Sequence, residues 1–213
     1  MIKRPLISIV VLIATVACGG SASAPPGPTV ASVSVQQSDL PSGMVQCGLT
    51  GDIQHFISAE QTPDPTTSKS MTSYWQDAQK SGATHAFTAI YADSATNCSA
   101  LKSPNSDIST ATYKLVVNFT VQYKDAKSAA SAYTSGNVFG FSPAQLKTGG
   151  ASVLEGTQTG LTANSIVLNT TIPPQSFYIA EWQNKTFLVI LAILNVDAGT
   201  SKSVALAQNG RIK

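Results

Sequence analysis

Residues 112–123 read Thr-Tyr-Lys-Leu-Val-Val-Asn-Phe-Thr-Val-Gln-Tyr. Tyr113, Leu115, Val117, Phe119, Val121 and Tyr123 alternate with Thr112, Lys114, Val116, Asn118, Thr120 and Gln122. A period of two belongs to a strand, whose successive side chains point to opposite sides of a sheet. The first set is apolar and the second mixed, which predicts a long antiparallel strand with one face on the core and the other wet or lightly covered. Directly after it, Asp125 offers a carboxylate to cap a helix. Ala126, Ala129, Ala130 and Tyr133 then recur at helical spacing, and Gly136 marks its end.

The same reading extends in both directions. Phe177 to Trp182 and Thr186 to Val196 flank Gln183-Asn184-Lys185, a hairpin turn in which Asn184 can take a left-handed conformation. Phe187 to Leu194 is apolar on both faces and too short to span a membrane, so it reads as a central strand covered on both sides. A last helix covers about residues 201–209 and stops at Gly210. Upstream, Met71, Tyr74, Trp75 and Ala78 mark a helix with Ser68 or Ser70 as cap and Gly82 as terminator, followed by strand-like residues 84–91. Hairpin-length connections without regular β-α-β alternation give an α+β domain, an antiparallel sheet of about five strands with helices packed on it.

The N-terminus carries a different signal. Lys3 and Arg4 precede an apolar run from Leu6 to Val16, which closes on Thr15-Val16-Ala17-Cys18. The run is shorter than the roughly 18 residues a membrane-crossing helix needs. An ordinary secretory cut after Ala22-Ser23-Ala24 would be followed by Pro25, which is poorly accepted there. The pattern resembles the lipobox of bacterial lipoproteins, with Thr15 standing where that pattern usually has Leu. The resemblance implies a signal peptide at residues 1–17, a lipidated Cys18 and an anchor on the outer face of a bacterial cell membrane. Gly19 to Ala31 is small and proline-rich, without apolar periodicity, so residues 18–32 read as the lipidated cysteine and a flexible tether, and residues 33–213 as the single domain.

Lipidation reorganises the remaining numbers. Cutting before Cys18 takes Lys3 and Arg4 from the 13 basic residues and leaves 11 against 11 acidic. No basic surplus is left for phosphates, which argues against a nucleic-acid partner. Three cysteines are an odd count for an exported chain. With Cys18 acylated, Cys47 and Cys98 remain as one pair, expected as a disulfide in an oxidising compartment. Neither has the close Cys or His neighbour that a zinc or redox site would want. The order of elements through the mature chain also resembles that of small bacterial envelope lipoproteins.

Candidate chemistry is sparse. Ser99-Ala100-Leu101-Lys102, Ser103-Pro104-Asn105 and Lys147-Thr148-Gly149 match the S-x-x-K, S-x-N and K-T-G motifs of penicillin-binding proteins and serine β-lactamases. The first two are contiguous here, Cys98 precedes the serine, and Pro104 discourages a continuing helix, so the trio reads as a chance match. His55 and His85 are the two histidines, each read as structural, and no P-loop, dinucleotide-binding glycine pattern or G-x-S-x-G elbow is present. Asn97, Asn118, Asn169 and Asn184 begin N-x-S/T triplets, from which a bacterial export signal removes the glycosylation reading.

Residues 136–160 are glycine-rich, and Ser142-Pro143 can start a short helix. Phe139, Phe141 and Trp182 are the candidates for a contact surface, with buried packing as the competing role for each. The expectation is a non-catalytic binding or accessory domain without cofactor or metal, joined to the membrane through its lipid and presenting a surface to an envelope protein or small ligand. A serine hydrolase of envelope polymers or esters, with Ser99 as nucleophile, is the alternative from another class, and a purely structural envelope component is the third.

Overall fold

A computed structural model describes residues 27–103, 111–136, 138–148 and 152–213. Residues 1–26 lie outside that description, and with them the expected signal peptide, Cys18 and most of the expected tether.

The fold is α+β and is built on one antiparallel sheet of eight strands, three more than expected. In chain order these are β1 (Val45–Gln46), β2 (Gly51–Asp52), β3 (Ala83–Ala92), β4 (Leu115–Tyr123), β5 (Val153–Glu155), β6 (Ser165–Ile172), β7 (Gln175–Asn184) and β8 (Phe187–Leu194). They lie in the order β1-β3-β4-β8-β7-β6-β5, with β2 also paired to β3. The surplus comes from β1, β2 and β5, two or three residues long and below the reach of a periodicity argument. The helices are α1 (Val30–Val33), α2 (Ile53–Glu60), α3 (Pro65–Lys80), α4 (Ala95–Ala100), α5 (Ala126–Ser135), α6 (Pro143–Thr148) and α7 (Ala198–Arg211).

The sheet separates two cores. On one face Leu115, Phe119, Val121 and Tyr123 of β4 join Leu188, Ile190 and Leu194 of β8 beneath α2, α3 and α5. On the other, Val116 packs with Val189, Leu191, Ala180 and Trp182 under α1 and α7. β8 is buried almost throughout, as its two-sided apolar run requires.

The second face of β4 departs from expectation. Asn118 and Thr120 are fully buried rather than wet. The Asn118 carboxamide donates to Ile190 O at 3.0 Å, and its Oδ1 accepts from Val35 N at 3.1 Å and Gln208 Nε2 at 3.0 Å. Thr120 Oγ1 accepts from Ser34 Oγ at 2.8 Å and Gln208 Nε2 at 3.2 Å. Buried polar groups need such partners, and the N-terminal segment and α7 supply them.

Several boundaries shift because a cap lies further out than expected. Asp64 Oδ1 accepts from Thr66 N and Thr67 N, starting α3 at Pro65 rather than near Ser68 or Ser70. Asp197 caps α7 through Thr200 N, and that helix continues past Gly210 to Arg211. The β7–β8 ladder closes on Asn184 opposite Phe187, so Lys185 takes the positive φ of 51° in the turn, not Asn184. Helical structure extends ahead of residue 33: Thr29 and Ser32 cap each other and Val33 is fully buried, placing α1 (from Val30) partly inside the stretch expected as tether. Asp125 caps α5 as expected, through Ser128 N at 2.7 Å.

Candidate functional site

Among the described residues, three central strands leave a gap in their cover. Along one face of the sheet, cross-strand registers place Leu115, Leu194 and Phe177 in one row and Val117, Ala192 and Ile179 in the next. These six side chains floor a half-open pocket of about 270 Å³, and Phe141 stands beside them. Val117, Ala192 and Ile179 are only partly buried although they lie on the innermost strands. Each described lining residue is apolar. Among the described residues, hydrocarbon at the middle of the sheet is thus left open, where a covered core would be the ordinary arrangement.

Phe141 is held there by a tight turn. Val138 and Phe141 exchange backbone hydrogen bonds of 2.9 and 3.0 Å, and the two residues between them have positive φ, 51° at Phe139 and 84° at Gly140, as a type I′ turn requires. Gly140 adopts this freely, whereas a phenylalanine does so at a cost of order 1–2 kcal/mol. Burial offsets that cost: Phe139 stacks on Phe119 with ring centroids 5.1 Å apart.

The next row of the floor is Phe119, Ile190 and Glu181. Phe119 is covered by Phe139, and α5 packs over β7 and β8 with Ala129 and Ala132 buried. Glu181 is fully buried, and among the described residues neither carboxyl oxygen has a hydrogen-bond partner. Burial pushes its carboxyl up to about 8. Its charge also bears on two tyrosines. Burial first, then Glu181 and Glu155, push Tyr133 up to about 12, and Tyr123 is raised by burial and by Glu181.

Sequence-expected residues distribute unevenly around this site. Phe139 and Phe141 come together, one in the core and one at the pocket. Trp182 is completely buried on the opposite face of the sheet, where the pleat alternation of β7 sends it, and is a core residue rather than part of a contact surface. Cys47 and Cys98 form the expected disulfide, with Cα atoms 5.1 Å apart, tying α4 to the segment after β1.

The three β-lactamase-like segments are not assembled into one site. Ser99 Oγ donates to Ala95 O at 3.0 Å within α4, which packs by β3. Lys147 pairs with Glu155 at 2.6 Å, on α6 beside β6. β4, β8 and β7 separate β3 from β6, a distance of nearly 20 Å at about 4.8 Å per strand. Pro104, Asn105 and Gly149 lie outside the described residues. His55 Nε2 sits 2.9 Å from Gly48 O and His85 Nδ1 3.2 Å from Thr84 Oγ1. Among the described residues no three His, Cys, Asp or Glu side chains gather as a metal site would need.

Glu181 is the residue the sequence reading missed. Its signal was present: with period two, Phe177, Ile179 and Glu181 share a face, so a lone acid interrupts an apolar stripe.

Among the described residues no helix is long and apolar enough to cross a membrane. No family model matches the chain, and no curated protein matches it. Among solved structures, the extracellular domain of PknH from Mycobacterium tuberculosis is similar at 10% identity and a TM-score of 0.44, over 86% of this chain and 94% of that one. At that distance the likeness carries no inference about function.

Proposed function

We propose that this protein is a lipid-anchored, extracytoplasmic binding module that takes a small apolar ligand in the pocket beside Phe141. The carrying observation is the two-row apolar floor left half-uncovered across β4, β8 and β7. Ligand sites are concave and mostly apolar, of roughly 300 Å³ upward, so this pocket suits a small molecule. The Cys47–Cys98 disulfide fits an oxidising compartment, and the lipobox-like Thr15-Val16-Ala17-Cys18 supports the anchor.

The test is titration with N-phenyl-1-naphthylamine, an uncharged apolar dye whose fluorescence rises on leaving water. One saturable site is expected, lost in Ala192→Phe, which fills the middle of the floor, while near-ultraviolet circular dichroism stays unchanged. Dye binding unaffected by Ala192→Phe, or no saturable binding at all, overturns the reading.

A further inference from the structure

What the pocket can recognise follows from what lines it. Each described lining residue is aliphatic or a phenylalanine, so none of these side chains offers a ligand a hydrogen bond or a charge. The backbone offers little more. β4, β8 and β7 are each paired on both sides, in the ladders that run from β3 to β6, and the peptide groups of Phe141 are bonded to Val138. A polar group drawn inside would give up water without replacement, which is costly.

The two ends of the floor differ. Beyond Val117, Ala192 and Ile179 the next row is Phe119, Ile190 and Glu181, all buried, where Phe139 stacks on Phe119 and α5 packs over β7 and β8. Beyond Leu115, Leu194 and Phe177, side-chain amides gather on carbonyls: Asn195 Nδ2 donates to Tyr113 O at 2.9 Å and Ala111 O at 3.0 Å, and Gln175 Nε2 to Ala111 O at 2.8 Å. One end is sealed in hydrocarbon and the other is polar.

Resting on the pocket reading above, we propose that the ligand is a dissolved single-chain amphiphile held by its aliphatic tail alone, with the tip of the tail toward Phe139 and the head left in water past Leu194 and Phe177. The volume of about 270 Å³ is at the low end for small-molecule sites, room for one chain and not for a pair. The site then measures hydrocarbon and ignores the head, which is solvated and screened from the charges of the domain. Each methylene moved from water onto the floor strengthens binding about threefold to fourfold.

The experiment displaces N-phenyl-1-naphthylamine from the intact chain at pH 6.5, below micelle-forming concentrations, with hexyl and octyl members of three series: 1-alkanols, alkyl glucosides and alkyltrimethylammonium ions. Within each series octyl is expected to bind about tenfold more tightly than hexyl, and at equal length the three heads are expected to agree within about threefold. A gain below about threefold from hexyl to octyl overturns the inference, as does a wider spread among heads. Weakening confined to the glucosides would mean that the head is enclosed, and a preference for either the alcohol or the cation would mean that a polar group reads it. In those cases dye binding that Ala192→Phe abolishes still upholds the pocket, so the two readings fail separately.

Discussion

Arg211 grips the carboxylate of Asp39 through two parallel hydrogen bonds, Nη1 to Oδ1 at 2.9 Å and Nη2 to Oδ2 at 2.7 Å. Nη2 also donates to Ser34 O at 2.8 Å. The last turn of α7 is thereby fastened to the segment that follows α1, across 172 positions of sequence. Asp39 is nearly buried in this contact. Bonds to charged groups contribute roughly 1.5–3 kcal/mol each way they are broken, so Arg211→Ala should lower unfolding stability by about 2 kcal/mol, read as the urea midpoint. Arg211→Lys should recover little, because a point charge cannot reproduce the planar fork. An Arg211→Lys protein as stable as the wild type would mean that the two-pronged geometry is immaterial.

Glu181 makes stability fall as pH rises. Its folded-state carboxyl is raised from an ordinary 4.5 to about 8. Between those values the folded chain holds a proton that the unfolded chain has released, so the stabilising contribution is complete below about pH 4.5 and is lost as pH climbs through about 8. One such proton gives a slope of about 1.4 kcal/mol per pH unit across that window. Glu181→Gln should flatten the slope and be more stable than the wild type at pH 8. Urea denaturation at pH 5, 6.5 and 8 checks both, and parallel curves for the two proteins would remove Glu181 as the cause.

The main elements were legible because each carries its own period. The alternation of 112–123, the two-sided apolar run of 187–194 and the Asp125 cap all describe local geometry, and β4, β8 and α5 lie where they point. Burial of Asn118 and Thr120 was not legible, since their partners Ser34, Val35 and Gln208 lie 83 to 90 positions away. The pocket was hidden for a related reason. Periodicity assigns Val117, Ala192 and Ile179 to faces, but only the strand order and register put them side by side. β6 combined β-branched residues that favour a strand with a burial pattern that decays along its length, which blurs the alternation.

Asn118 holds three segments together on the second face. Its Oδ1 takes the amides of Val35 and Gln208 while its Nδ2 serves Ile190 O. Asn118→Val places a strand-favouring residue there but leaves those partners unpaired in a dry interior. The expected cost is about 2–4 kcal/mol. Amide exchange should show the loss concentrated at Val35 and in α7, rather than in α2 and α3 on the other side of the sheet. A uniform change over both faces would contradict the separation of the two cores.

Cys18 is the point where the domain would meet the membrane. The capped turn at Thr29 leads into α1, which is clamped into the sheet through Ser34 and Val35, and ten residues stand between Cys18 and Thr29 in the sequence. Cys18→Ala should therefore lose fatty-acid labelling and move from the membrane to the soluble fraction, while the purified domain keeps the dye site that Ala192→Phe removes. If Cys18→Ala protein still incorporates label and sediments with membranes, the lipobox reading fails, whereas loss of the dye site in the same variant would tie the pocket to the anchor itself.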